Sequence, residues 1–164
     1  IVTSDRFAWI LELPQSSKDQ WMIEPAGFGE TRIEGMKAYC KVDFMLPHED
    51  TIYIMDWKTG KPDDEKHRKQ LIGYSLFARY HFEGRFANII PMVCYVKDGY
   101  QEVQPEITQE DISAFVETVR NESAEMKSYN LDEFKNTPKM KAAFPLTENP
   151  SPCRFCEYRE LCER

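Results

Sequence analysis

Ile52-Tyr53-Ile54-Met55-Asp56-Trp57-Lys58-Thr59-Gly60-Lys61 is the stretch on which the reading of the fold turns. Ile52 to Met55 are apolar, with the β-branched and aromatic side chains that suit a pleated, half-buried strand. Gly60 and Pro62 end the run. Side chains alternate faces along a strand, so Asp56 and Lys58 share one face while Trp57 takes the other. An acid and a base therefore stand side by side where a buried strand emerges.

Working upstream, residues 38–46 have a second β-like pattern, and Pro47-His-Glu-Asp50 can join it to 52–58 as a hairpin. That pairing brings Asp43 toward Asp56 and Lys58. Residues 21–23 are also β-like, with Gly27, Gly29 and Gly35 as punctuation. Residues 6–13 fit a strand or the end of a helix equally well, and residues 14–18 break them. Downstream, Asp63, Asp64 and Glu65 suit the first turn of a helix that runs to about Phe82. Residues 88–96 predict a strand, with Pro91 marking an edge or a start. Asp98-Gly99 predicts a turn from which residues 100–103 return antiparallel. Thr108-x-x-Asp111 resembles a capping box, and Ile112, Phe115, Val116 and Val119 follow at helical spacing, so a second helix spans about 109–127. Past Asn130 the chain is shorter-ranged and proline-punctuated.

The 164 residues, 41% hydrophobic and 13% aromatic, are enough for one substantial core, and one domain is the expectation. No apolar stretch has the roughly 20 residues of a membrane-spanning helix, so a cytoplasmic protein is expected. The sequence opens at Ile1 without an initiator methionine, which leaves room for upstream elements. A net charge of −7 weighs against a nucleic-acid binder. The distribution weighs the other way: from Lys58 to Arg85 seven basic residues face four acidic ones.

Asp43 and Asp56 are hard oxygen donors suited to Mg²⁺ or Mn²⁺, ions that retain several waters. Such an ion polarises a scissile phosphate and acidifies a bound water. Lys58 would orient that water or help deprotonate it, and would offset charge on phosphorus. A bare D-x-K is, by itself, an ordinary surface ion pair. On the following helix Gln70 and Tyr74 are i and i+4, on one face with Leu71 and Ala78 along its edge.

Lys41-Val-Asp43-Phe44, then Ile54-Met-Asp56-Trp-Lys58-Thr-Gly60-Lys61, then Gln70-Leu71-x-x-Tyr74, resemble in order the signature motifs of the PD-(D/E)XK nuclease superfamily in its RecB-like branch. The resemblance implies a restriction-endonuclease-like α/β core, a central mixed β-sheet flanked by helices. It implies metal binding by Asp43 and Asp56, catalysis by Lys58, and Gln70 and Tyr74 lining the site near DNA. Lys61, Lys66, Arg68 and Lys69 become candidate phosphate contacts. The family's N-terminal helix usually supplies a further acid or histidine. Glu24 is the only nearby candidate ahead of Asp43 and sits in what reads as a strand; His48, His67 and His81 read as surface or helix residues.

Cys153-x-x-Cys156-x5-Cys162 places three thiols within ten residues, a spacing that points to zinc or an iron–sulfur cluster. Cys40 and Cys94 lie in apolar runs and read as core residues. The segment resembles the C-terminal cluster-binding element of iron–sulfur RecB-like nucleases, including AddB-type helicase–nucleases and CRISPR adaptation exonucleases. That resemblance implies a [4Fe–4S] cluster whose fourth ligand lies upstream of Ile1. Zinc remains open if a histidine or water completes the set. The expected organisation is a nuclease core over 1–148, lacking its upstream helix, and a cysteine-rich segment of the same domain over 149–164. The implied function is a Mg²⁺- or Mn²⁺-dependent DNA exonuclease of repair, recombination, or phage or CRISPR DNA processing, with DNA and a helicase as partners. The alternative is an inactive nuclease-fold module that binds DNA or a helicase and keeps the cysteine site for architecture.

Overall fold

A computed structural model describes residues 3–24, 29–97 and 99–162. The chain divides into two compact units, Ile1–Val116 and Glu117–Arg164.

The first unit is built on a five-stranded sheet. Its strands are β1 (Met22–Ile23), β4 (Phe44–His48), β5 (Thr51–Lys58), β6 (Asn88–Tyr95) and β7 (Gln101–Val103), in the order β1-β4-β5-β6-β7. The decisive stretch is the central strand, β5. It pairs antiparallel with β4 and parallel with β6, which makes the sheet mixed. A parallel neighbour requires a crossover, and helix α3 (Asp64–His81) supplies it, capped by the Asp63 side chain, which accepts from the Lys66 amide. Alternation along β5 sorts the core. Met55, Tyr53 and Trp57 pack with Ile10 and Leu13 on the face of helix α1 (Asp5–Glu12). Ile52 and Ile54 pack with Phe77 and Ala78 of α3 on the other.

The segment that fitted helix or strand is α1, held to β7 by Arg6, whose guanidinium bonds Glu102 at 2.9 Å. Residues 14–18 do not simply break the chain: Pro14 opens a one-turn helix, α2 (Gln15–Lys18), a start position that tolerates its missing N–H. The single strand expected over 38–46 is two strands. A hairpin of β2 (Gly29–Ile33) and β3 (Met36–Cys40) forms its own two-stranded sheet, turning at Gly35 with φ 80°, and β4 starts only at Phe44. The β4–β5 turn is tighter than expected, because Pro47 lies in the ladder opposite Ile52 and Glu49 takes a positive φ of 53°. Pro47 is tolerated there because β1 pairs only with Phe44 and Met45, so among the described residues no strand pairs with Pro47 on that side. Pro91 is likewise inside β6 but precedes the part paired with β7. Of the expected turn after β6, Asp98 lies outside the described residues, as does Gly27.

Helix α4 (Gln109–Ser128) starts as the capping box predicts: Asp111 accepts from the Thr108 amide, and the Thr108 hydroxyl accepts from the Asp111 amide. Its half-buried stripe is Ile112, Phe115, Val116 and Val119. At Gly73 of α3 an added Cβ would stand 3.3 Å from the Phe115 ring, so a small residue allows that close approach. In the second unit, β8 (Asn130–Asp132) and β9 (Thr137–Pro138) form a two-stranded ribbon, and the cysteine segment folds into short 3-10 turns. No described helix is long and apolar enough to cross a membrane.

Candidate active site

The C-terminal end of β5 and the first half of α3 enclose one cluster. Asp56 is 2% exposed because it lies on the strand face that α3 covers. Lys58, two residues on and on the same face, forms an ion pair with Asp56 Oδ2. That oxygen is buried and receives no hydrogen bond of good geometry, so the Lys58 ammonium is its compensation among the described residues. From α3, Gln70 Nε2 donates to Asp56 Oδ1 at 3.4 Å and to the Tyr74 hydroxyl at 2.6 Å. The Tyr74 hydroxyl donates to the Lys41 carbonyl at 2.9 Å and lies 3.5 Å from Asp56 Oδ1. The i, i+4 spacing thus does what the sequence implied.

Asp43 reaches this cluster by a route the hairpin alone did not predict. It falls just outside the ladder, whose last β4–β5 pair is Phe44 opposite Met55. Its Oδ2 instead accepts from the Trp57 amide at 2.8 Å. Trp57 faces away and stacks on Phe44 at 5.8 Å, so the backbone that holds Asp43 is itself pinned by the α1-side core. Asp43, Asp56, Lys58, Gln70 and Tyr74 are therefore gathered at one end of the sheet.

Burial raises the pKa of the Asp56 carboxyl, the Lys58 ammonium opposes that rise, and the Asp43 charge adds to it. Burial, with the charge of Asp56 behind it, also pushes the Tyr74 hydroxyl up. Tyr74 is thus a neutral hydrogen-bonding group near pH 7.

A divalent ion fits this donor set. Two carboxylates lie close enough for the Asp43 charge to act on Asp56, and Mg²⁺ takes one or two carboxylates and completes its shell with water and phosphate oxygens. No group of three or more His, Cys, Asp or Glu suited to a metal occurs among the described residues. Glu24 does not join: it is exposed, lies just past β1 rather than in a strand, and touches Asp43 only through its amide on the Asp43 carbonyl at 3.2 Å.

The flanking cations differ. Lys61, Lys66 and Lys69 are exposed. Arg68 is engaged by both carboxylate oxygens of Asp111, at 2.6 and 2.9 Å, and by the Glu106 carbonyl, so its fork already ties α3 to the start of α4. Asp111 is accordingly held well below the usual carboxylate range, first by Arg68.

Sequence reasoning missed two features. His67 is a helix residue, as one half of its reading had it, but it is buried on α3 and its Nδ1 meets the Tyr95 hydroxyl at 2.7 Å, where Tyr95 sits beside Lys58 in the β5–β6 register. Its place one turn before Gln70 was a usable signal. The Lys41 carbonyl, a backbone group, left none. His48 instead bonds Ser17, 2.9 Å from its Nδ1, and His81 stacks on Phe77.

Cys40 and Cys94 are buried, and burial pushes their thiols up to about 12 and about 11, as suits core residues rather than thiolate ligands. Cys40 ends β3, and Asp43 lies between β3 and β4. Cys153 is half-buried, and Cys156 and Cys162 are exposed. The Cys156 amide bonds the Cys153 carbonyl and the Arg159 amide the Cys156 carbonyl, so the first two cysteines sit on successive turns. The thiols offer soft-ligand chemistry without being drawn together as a set.

The family model for the PD-(D/E)XK nuclease superfamily matches residues 4–163. No curated protein sequence matches the chain. Among solved structures, the crystal structure of SSO0001 is similar at 15% identity and a TM-score of 0.46, covering 98% of this chain and 69% of that one.

Proposed function

The chain belongs to the PD-(D/E)XK nuclease superfamily, and on that footing we propose that it is a Mg²⁺- or Mn²⁺-dependent deoxyribonuclease, an exonuclease of the RecB-like branch that works in the cytoplasm. The observation that carries the reading is the buried Asp56, ion-paired with the half-buried Lys58, meeting Asp43, Gln70 and Tyr74 at the end of one strand.

In this reading Asp43 and Asp56 hold the ion, which when bound polarises the phosphate and supplies an acidified water. Lys58, ion-paired with Asp56, hydrogen-bonds the attacking water and offsets charge on the phosphoryl oxygens as the new P–O bond forms and the ester P–O bond breaks. Gln70 holds Asp56 and Tyr74 in place, and Tyr74 fixes the Lys41 carbonyl and so the approach of Asp43. Lys61, Lys66 and Lys69 supply phosphate contacts; Arg68 serves chiefly as the link to Asp111. Cys153, Cys156 and Cys162 contribute three thiolates to a [4Fe–4S] cluster with a structural role, and the partners are DNA and a helicase.

A second reading, an inactive DNA- or helicase-binding module, draws on the two-carboxylate donor set, since the described residues offer no third ligand of the same kind. End-labelled DNA with Mg²⁺ or Mn²⁺ separates the two. Metal-dependent cleavage is expected, with Lys58→Ala slower by about 10²-fold or more. Binding without cleavage in either metal would replace the first reading by the second.

A further inference from the structure

The β2–β3 hairpin has a face that the catalytic reading leaves unused. Its inner side, Thr31, Ile33, Ala38 and Cys40, is buried or half-buried, with Cys40 packed in the core beside Phe77 and Ala78 of α3. Its outer side is exposed and carries Glu30, Arg32, Lys37 and Tyr39, with Tyr39 at 57% exposure. Arg32 and Lys37 stand directly opposite each other in the register. Like charges opposed across a ladder work against pairing, so their presence needs another reason. Glu30, opposite Tyr39, ion-pairs Lys37 at 3.3 Å, while Arg32 Nη1 donates to the Gly35 carbonyl at 3.0 Å, a neutral partner in the turn.

This face is continuous with the catalytic cluster. Past the end of β3 the chain runs through the exposed Lys41 to Asp43, and the Tyr74 hydroxyl anchors the Lys41 carbonyl. Four residues of extended chain span at most about 14 Å, so Tyr39 lies within a few nucleotides' reach of Asp43. From Gly29 to Lys41 three cations meet two acids, Glu30 and Glu34, in a chain of net charge −7.

We propose that the outer face of the β2–β3 hairpin is a single-strand platform that feeds nucleic acid to the Asp43–Asp56 site. An unpaired base stacks on Tyr39 while Arg32, Lys37 and Lys41 follow the backbone phosphates. Aromatic stacking needs an open base face, which a duplex hides, so the platform selects single strands. The proposal rests on the nuclease reading for its destination but not for its binding.

Binding of a fluorescein-labelled oligothymidylate, and of its duplex with oligoadenylate, is measured in EDTA so that cleavage does not intervene. The single strand is expected to bind the wild type more tightly. Tyr39→Ala should weaken that binding on the order of tenfold or more, and the duplex by much less. Tyr39→Phe should retain the affinity, and Arg32→Ala with Lys37→Ala should lower the salt slope by about 0.7 for each phosphate no longer neutralised. Tyr39→Ala binding the single strand like the wild type, equal wild-type affinity for both probes, or loss of affinity in Tyr39→Phe as well, would overturn the platform. Tyr39-dependent binding together with no cleavage in any divalent metal would uphold the platform and sink the nuclease reading.

Discussion

At the end of β5 Asp56 is buried, and the half-buried Asp43, Lys58, Gln70 and Tyr74 around it are held by hydrogen bonds or ion pairs to one another or to backbone, whereas the three clustered cysteines stand half-buried or exposed on short turns, their thiols not drawn together as a set. The first unit has a core: Met45, Leu46, Ile54, Met55 and Met92 are fully buried, and Asp56 owes its position to the strand that core fixes. In the second unit no described residue from 117 to 162 is buried, and Phe134, Met140 and Phe155 are almost wholly exposed. Ligating chemistry is present in both regions, but only one gathers it through its own packing. The cluster proposed for this segment would supply stability that so little apolar burial does not.

The largest effect that sharpens this contrast is on stability. Met55→Ala empties a fully buried site between α1 and the sheet and should cost about 2–5 kcal/mol in urea unfolding, while Leu161→Ala, 66% exposed, should stay within roughly 0.5 kcal/mol. A comparable loss at Leu161 would mean that the second unit is packed after all.

A second effect is local. Cys156→Ser should abolish the visible absorbance expected of anaerobically prepared protein and speed protease cleavage within 117–164, leaving the first unit as resistant as before. Colourless wild-type protein with an equally stable C-terminal region would break the contrast from the other side.

The smallest effect concerns pH. Burial holds the Asp56 pKa above its unfolded value, with Lys58 opposing. A folded pKa that is raised contributes stability fully present below the unfolded value of about 3.9 and lost as pH rises through the folded one. Asp56→Asn should remove that loss. The variant therefore gains on the parent as pH rises from acid to neutral, read as the difference between their urea midpoints; parallel curves would place Asp56 in a better-solvated site than its burial implies.

Most of the elements around the site were legible from local pattern: β5 from its apolar run, α3 from its acidic first turn, α4 from Thr108-x-x-Asp111. The hairpin at 29–40 was not, because Gly29 and Gly35 signal turns without saying which strands they join, and residues 38–46 alternate well enough to pass for one strand. Arg68 read as a free cation because its partner, Asp111, lies 43 residues away.

Sequence alone determined which groups could share a face: Asp56 with Lys58 by the period of a strand, Gln70 with Tyr74 by the period of a helix. Those relations are short-range, set by backbone geometry within a few residues. Tertiary structure alone decided that Asp43 hangs on the Trp57 amide, that Tyr74 caps the Lys41 carbonyl, that His67 is buried against Tyr95, and that Arg32, Lys37 and Tyr39 share one exposed hairpin face. Each of these depends on a backbone hydrogen bond or a long-range register, and these arise only when a packed core brings distant segments together.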